Sequence, residues 1–306
     1  MNENKYTYHG PSPWRLQYLL LLLSVFLLLA TACCKKEEPI SGRILKFSFD
    51  STSPVDPDVI REIEVFVFDD QERLIGRAST QLDGTVTLDY PQTSILHCIA
   101  WGNSKDSSLE LSPLKPGDSL EKGYLALKPL SSTRTEGTFS SLPPDLFRGA
   151  ILIDNNTTAS DQLITDMVIL PTTASIHITI SGLQETTGTE TGKYAIVLSE
   201  PPARIDFAGK YSDKAVHHLT GSFNTKKEYI IPPFHLFPTA AGEGIKIDIL
   251  HDGKLLNSIT QTSDGSPILP KAGKELSLLI EFDSFGGVEV RPPGWNPTHI
   301  DVVFPK

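Results

Sequence analysis

Cysteine is scarce in this 306-residue chain: Cys33, Cys34 and Cys98 are the only three. So few thiols cannot build a disulfide framework, and stability has to come from packed apolar cores. Cys98 sits in an apolar run and reads as a buried strand residue. A Cys34–Cys98 bridge is the alternative that an oxidising compartment leaves open. Positive charge is also short: 27 Lys and Arg stand against 37 Asp and Glu, a net charge of −10. With no basic stripe, that balance argues against nucleic acid as a partner. It suits an acidic surface that keeps an exposed protein soluble.

Long apolar runs and the common catalytic motifs are missing too. The longest apolar run, Leu19–Ala30, falls short of the ~20 residues of a membrane-spanning helix. No long amphipathic helix follows it. There is no His-Glu-x-x-His, no Gly-x-Ser-x-Gly and no phosphate-binding loop. His217 and His218 are adjacent, so in a strand they point to opposite faces, and no acidic or cysteine partner sits at ligand spacing. They read as a surface pair, and His97 and His177, inside strand patterns, read as structural. The group Asp69-Asp70-Gln71-Glu72 could be a carboxylate pair or calcium site, but a turn after a strand is the simpler reading. Asn155-Asn156-Thr157-Thr158 contains glycosylation sequons and reads as a loop. No catalytic residue, metal site or cofactor is expected.

The N-terminus is informative. Lys5 and Arg15 precede the Leu19–Ala30 run, and small residues follow it: Ala30-Thr31-Ala32, then Cys33. This is a signal-peptide pattern. It resembles a bacterial lipobox, with cleavage between Ala32 and Cys33 and lipid on Cys33. An uncleaved anchor and an unlipidated secretory signal are the alternatives. Next come Lys35, Lys36, Glu37 and Glu38, which resemble the surface-export signal of Bacteroides-type lipoproteins; a plain solvated tether is the bland reading. The expected address is the outer membrane, lipid-anchored, at the cell surface.

The rest is strand signal. Ile63, Val65 and Val67 alternate with Glu64, Phe66 and Phe68, and the Val67 end reads as buried on both faces. Asp83-Gly84 is a hairpin signal, with Val86 and Leu88 following at period two. Ser94–Trp101 forms a further strand. Residues 107–137 are rich in Ser, Leu, Pro and Gly and predict a long excursion with a short strand or helix. Pro143-Pro144-Asp145 could open one helical turn. Strands return at Met167–Leu170, at Ile176, Ile178 and Ile180, at Ile245, Ile247 and Ile249, at Leu276–Phe282, at Val288–Val290 and at Ile300–Phe304. Gly182–Gly192 reads as a loop, and Asp252-Gly253 as a turn. Short strands joined by turns predict an all-β protein built of sandwiches. The expected division is a signal peptide at 1–32, a lipidated tether at 33–42, and domains at 43–170 and 171–306.

Four segments in order carry a family resemblance. Ile63–Leu74 resembles an early strand running into Phe-Asp, a polar turn and Leu. Ile95–Asn103 ends in Trp101-Gly102-Asn103; Pro144–Gly149 contains Asp145-Leu146-Phe147-Arg148-Gly149; Val288-Glu289-Val290 leads to Gly294-Trp295. Behind a lipobox, these are similar to the fimbrillin-associated anchor lipoproteins of Bacteroides-type bacteria. Glu38-Pro39 precedes Ile40 without the cysteine that many relatives carry there. The resemblance implies two transthyretin-like β-sandwich domains in tandem and a non-enzymatic role. It implies fimbrillin-type subunits as partners, strand addition as the means of holding them, and tethering to the outer membrane through the N-terminal lipid, with an effect on fimbrial length. Two rival readings remain at this stage: a surface glycan-binding lipoprotein, with Trp101 and Trp295 stacking on sugars, and a minor fimbrial subunit or tip adhesin.

Overall fold

Alternating apolar residues become strands almost wherever they occur, because each strand has a face to bury. The computed structural model describes residues 42–291 apart from 50–56, 131–137, 157–163, 190, 241 and 284–286. Among these it is nearly all β, as expected from the sequence.

The first half is a seven-stranded sheet in the order Leu74–Thr80, Ile63–Phe68, Ile95–Gly102, Phe147–Asp154, Ile164–Pro171, Arg43–Phe49, Thr85–Leu88. Its two ends wrap around one core, since Leu45, Val86 and Leu88 pack with Val65, Val67, Cys98 and Met167. The second half is a sandwich. One layer runs Ser222–Phe223, Tyr229–Leu236, Ala174–Ser181, Glu275–Phe282, Val288–Arg291. The other runs Val216–Leu219, Tyr194–Ser199, Lys246–His251, Lys254–Ile259. Ile176, Ile178 and Ile180 point inward against Ile196, Leu198, Ile247 and Ile249. The two halves close alike. Arg43–Phe49 pairs in parallel with Ile164–Pro171, and Ala174–Ser181 pairs in parallel with Glu275–Phe282.

A third core joins residues from both halves. Leu109–Leu111 and Tyr124–Leu127, from the excursion, form one small sheet with Arg204–Asp206 and Tyr211–Ser212. That sheet covers the outer face of Ile63–Phe68 and Ile95–Gly102, burying Phe66, Phe68, Ile99 and Trp101 against Leu125, Ile205 and Phe207. Phe207 is the hub, with its ring centroid 4.7 Å from that of Phe66 and 5.8 Å from that of Trp101. Gly123 lies beneath it, where an added Cβ would come within 2.4 Å of the ring. This cover explains why all six residues of Ile63–Phe68 are buried.

Three local expectations are corrected. The chain does turn at Asp83-Gly84, with Gly84 N–H donating to Gln81 O at 3.0 Å. The flanking strands do not pair as a hairpin, however: Leu74–Thr80 joins Ile63–Phe68, while Thr85–Leu88 joins Arg43–Lys46. Val86 and Leu88 bury more fully on Leu45 at the opposite end of the sheet. Pro143-Pro144-Asp145 opens no helix; the chain stays irregular until Phe147, because Leu146 O and Asp145 O are held by Thr172 and Asn103. Within the expected Gly182–Gly192 loop, Leu183–Thr187 is a short helix between Gly182 and Gly188, both left-handed, with Leu183 buried.

Candidate functional site

Ala32, Cys33, Lys35, Lys36, Glu37, Glu38, Trp295 and the Ile300–Phe304 run lie outside the described residues. No described helix is long and apolar enough to cross a membrane. Among the described residues, no group of three or more His, Cys, Asp or Glu is placed to hold a metal.

The other singled-out residues resolve into structural roles. Asp69 Oδ1 accepts the N–H groups of Gln71 and Arg73 at 2.9 and 2.8 Å, so its carboxylate closes the turn. Asn155 is more than a loop residue: its side chain accepts from Arg43 Nε at 2.9 Å and donates to Tyr90 O and Thr93 O. The expected surface pair is corrected: His217 faces inward and is buried, with Nδ1 3.1 Å from Ser140 O, and burial pushes its pKa down to about 4. His218 faces out and packs against Phe139. Burial likewise lowers the pKa of His97, against the opposing pull of Glu72. His177 lies 3.5 Å from Ser175 Oγ. Cys98 is a buried free thiol whose pKa burial raises to about 12, an inert packing residue. Trp101 is wholly buried, so it cannot stack on a sugar.

The quoted motif residues cluster where the two halves meet. Asn103 Nδ2 donates to Val59 O and Asp145 O. The Asp145 carboxylate lies 3.1 Å from His235. Arg148 donates from Nε and Nη2 to Phe207 O and lies over the Trp101 ring. Thr172 ties back to Leu146 O, and Tyr211 Oη donates to Thr172 O. Trp-Gly-Asn and Asp-Leu-Phe-Arg-Gly therefore interlock the fold.

One surface feature is a seam in the first sheet. Phe147–Asp154 pairs with Ile95–Gly102 along its whole length. On its other side the ladder to Ile164–Pro171 holds only Phe147↔Pro171 and Arg148↔Leu170. Beyond Arg148 the two strands make no ladder with one another. Alternation along Ile164–Pro171 sends Met167 and Ile169 inward and leaves Val168 and Leu170 outside. Of the seven large apolar side chains exposed among the described residues, five lie on these neighbouring strands: Ile95, Leu152, Ile164, Val168 and Leu170. Scattered apolar residues mean little, but five on three neighbouring strands beside an interrupted ladder single this seam out. Sequence reasoning missed this seam, because a strand's pairing partners cannot be read from its own alternation.

A family model described as "Fimbrillin-A associated anchor proteins Mfa1 and Mfa2" matches residues 35–301. A major fimbrium anchoring subunit, FimB, of Porphyromonas gingivalis is 26% identical over 281 residues, covering 85% of this chain and 90% of that protein. Among solved structures, the fimbrial anchor protein Mfa2 from Porphyromonas gingivalis superposes with a TM-score of 0.58 at 13% identity, over 81% of this chain and 94% of that one. A candidate adhesin from Bacteroides ovatus gives 0.61 at 15%, over 86% and 96%. At these identities the structural likenesses speak to the fold alone.

Proposed function

Since the chain belongs to the family of fimbrillin-A associated anchor proteins, we propose that it tethers fimbriae to the outer membrane. The observation that carries this reading is the extent of the family match, which begins two residues after Cys33 and runs through both halves. Cleavage after Ala32 leaves Cys33 as the lipidated N-terminus. Each buried acyl methylene contributes ~0.8 kcal/mol, so several chains on one residue hold a protein firmly at a membrane. Lys35, Lys36, Glu37 and Glu38 form the surface-export signal and a solvated tether.

The partner is a fimbrillin-type subunit, held by strand addition. Its extended segment enters the seam between Phe147–Asp154 and Ile164–Pro171, completing the interrupted ladder and covering Leu152, Val168 and Leu170. Two sandwich units, 43–170 and 171–306, provide the body that bears this contact. A subunit held at the membrane end closes that end of the fibre, which is how an anchor limits fimbrial length. The role is mechanical rather than catalytic.

The test is Cys33→Ala in cells that make fimbriae. Lipid and seam are separable, so the variant should leave subunit binding intact and move fimbriae from the cells into the culture supernatant. Equal cell-bound fimbriae in parent and variant, with the variant still exported, would overturn the anchor reading.

A further inference from the structure

The second half carries a cleft that the anchor reading does not use. It opens where the chain leaves the four-stranded layer after Leu219 and enters the five-stranded layer at Ser222. Its volume is about 1060 Å³, at the upper end of ligand clefts, which span roughly 300–1,000 Å³. Two aromatic pairs line it. Phe139 and His218 lie 5.2 Å apart, with His218 exposed; Phe223 and Tyr194 meet edge to face with centroids 5.3 Å apart, and Phe223 is half-buried. The floor is braced by a short relay: Gly221 N–H donates to Tyr229 Oη, which donates to Tyr194 O at 2.8 Å. Gly221 lies so near Ile230 O that an added Cβ would come within 2.1 Å of it, which fixes the crossover close over the floor.

Polar groups surround these rings without protein partners. The Lys193 ammonium and the hydroxyls of Thr220 and Ser222 make no hydrogen bond or ion pair among the described residues. Asp252, on the same rim, accepts the Lys193 N–H at 2.9 Å and so holds that lysine's backbone in place.

We propose that this cleft binds a neutral oligosaccharide. A pyranose ring has a C–H face that packs on aromatic rings and a girdle of hydroxyls that seeks donors and acceptors around them. The cleft offers both at once. An enclosed apolar ligand would strand Lys193, Thr220 and Ser222 without water, at a desolvation cost. A phosphate-rich ligand would need a cluster of cations, whereas the rim carries Lys193 against Asp252. The proposal does not rest on the anchor reading, since no residue of the seam lines the cleft.

Saturation-transfer NMR and calorimetry on the full chain, with chitotriose, cellotriose and mannotriose as probes, test the proposal. At least one should bind with a Kd on the order of 1 mM. Phe223→Ala should weaken it about tenfold or more. Because Phe223 also packs against the core, Lys193→Met combined with Ser222→Ala provides the second variant, and it should weaken binding with unchanged Tm. Absence of binding by all three probes overturns the proposal, as does binding that survives both variants. So does loss of fimbrillin capture in the variants without any sugar binding, which would assign the cleft to subunit docking.

Discussion

A single buried imidazole shows how much one residue can reveal. The adjacency of His217 and His218 foretold opposite faces, and they take them: His217 inward, His218 outward. What the pattern could not foretell is the neighbour of His217, since Ser140 lies 77 residues away in the chain. Burial holds the imidazole neutral, with its pKa lowered from 6.5 to about 4. Between those values the unfolded chain binds more protons than the folded one, so stability is full above the upper value and falls as pH drops towards the lower. At about pH 5 the loss is about 2 kcal/mol. His217→Gln, which keeps an amide for Ser140 O, should flatten this limb. Urea melts of both proteins at about pH 7 and about pH 5 measure it, and an unchanged slope would refute it. Trp101 teaches a related lesson. A core position is the commoner one for a tryptophan, and it holds here, but no local pattern announces the segments near Leu125 and Phe207 that bury it.

Elements were legible where alternation was clean, as in Ala174–Ser181, whose burial alternates at every position. Tyr229–Leu236 escaped because Pro232 and Pro233 interrupt it. The structure accommodates them at a bulge: Ile176 faces Phe234 and Ile178 faces Ile231, and the short edge strand pairs only with Tyr229 and Ile230. Pairing order was illegible throughout, which is why Asp83-Gly84 suggested a hairpin and why the seam went unseen. The seam makes an element-scale prediction. Leu152→Asp combined with Val168→Asp should abolish capture of fimbrillin subunits in a pull-down. Both side chains are half or more exposed, at 66% and 50%, so stability should shift by no more than about 0.5 kcal/mol each. Undiminished capture by this variant would place the acceptor elsewhere while leaving the membrane tether untouched.

At the scale of the whole molecule, two of the three cores draw their buried residues from one side of Pro171 and the third draws on both sides. Leu45 to Ile169 supply one, Ala174 to Val290 another, and Phe66 to Phe237 the one they share. Composition and strand spacing announced sandwiches, but not the small sheet that laces residues 109–127 to residues 204–212. That lacing predicts cooperative melting. Phe207→Ala removes the ring on which Phe66, Phe68 and Trp101 converge, at a cost of about 3–5 kcal/mol. Calorimetry should show one transition moved to lower temperature in the variant. Two transitions, with only one displaced, would mean that the halves melt independently.

Among the described residues the strand Arg43–Phe49 comes first, and it lies between two neighbours, parallel to Ile164–Pro171 and antiparallel to Thr85–Leu88. A pull entering at Gly42 along that strand does not peel its hydrogen bonds one at a time. It loads both ladders in shear, so that many bonds must yield together before the strand slides. On the proposed anchor reading, flow dragging on a fibre would meet a mechanical clamp at the point where load enters the fold.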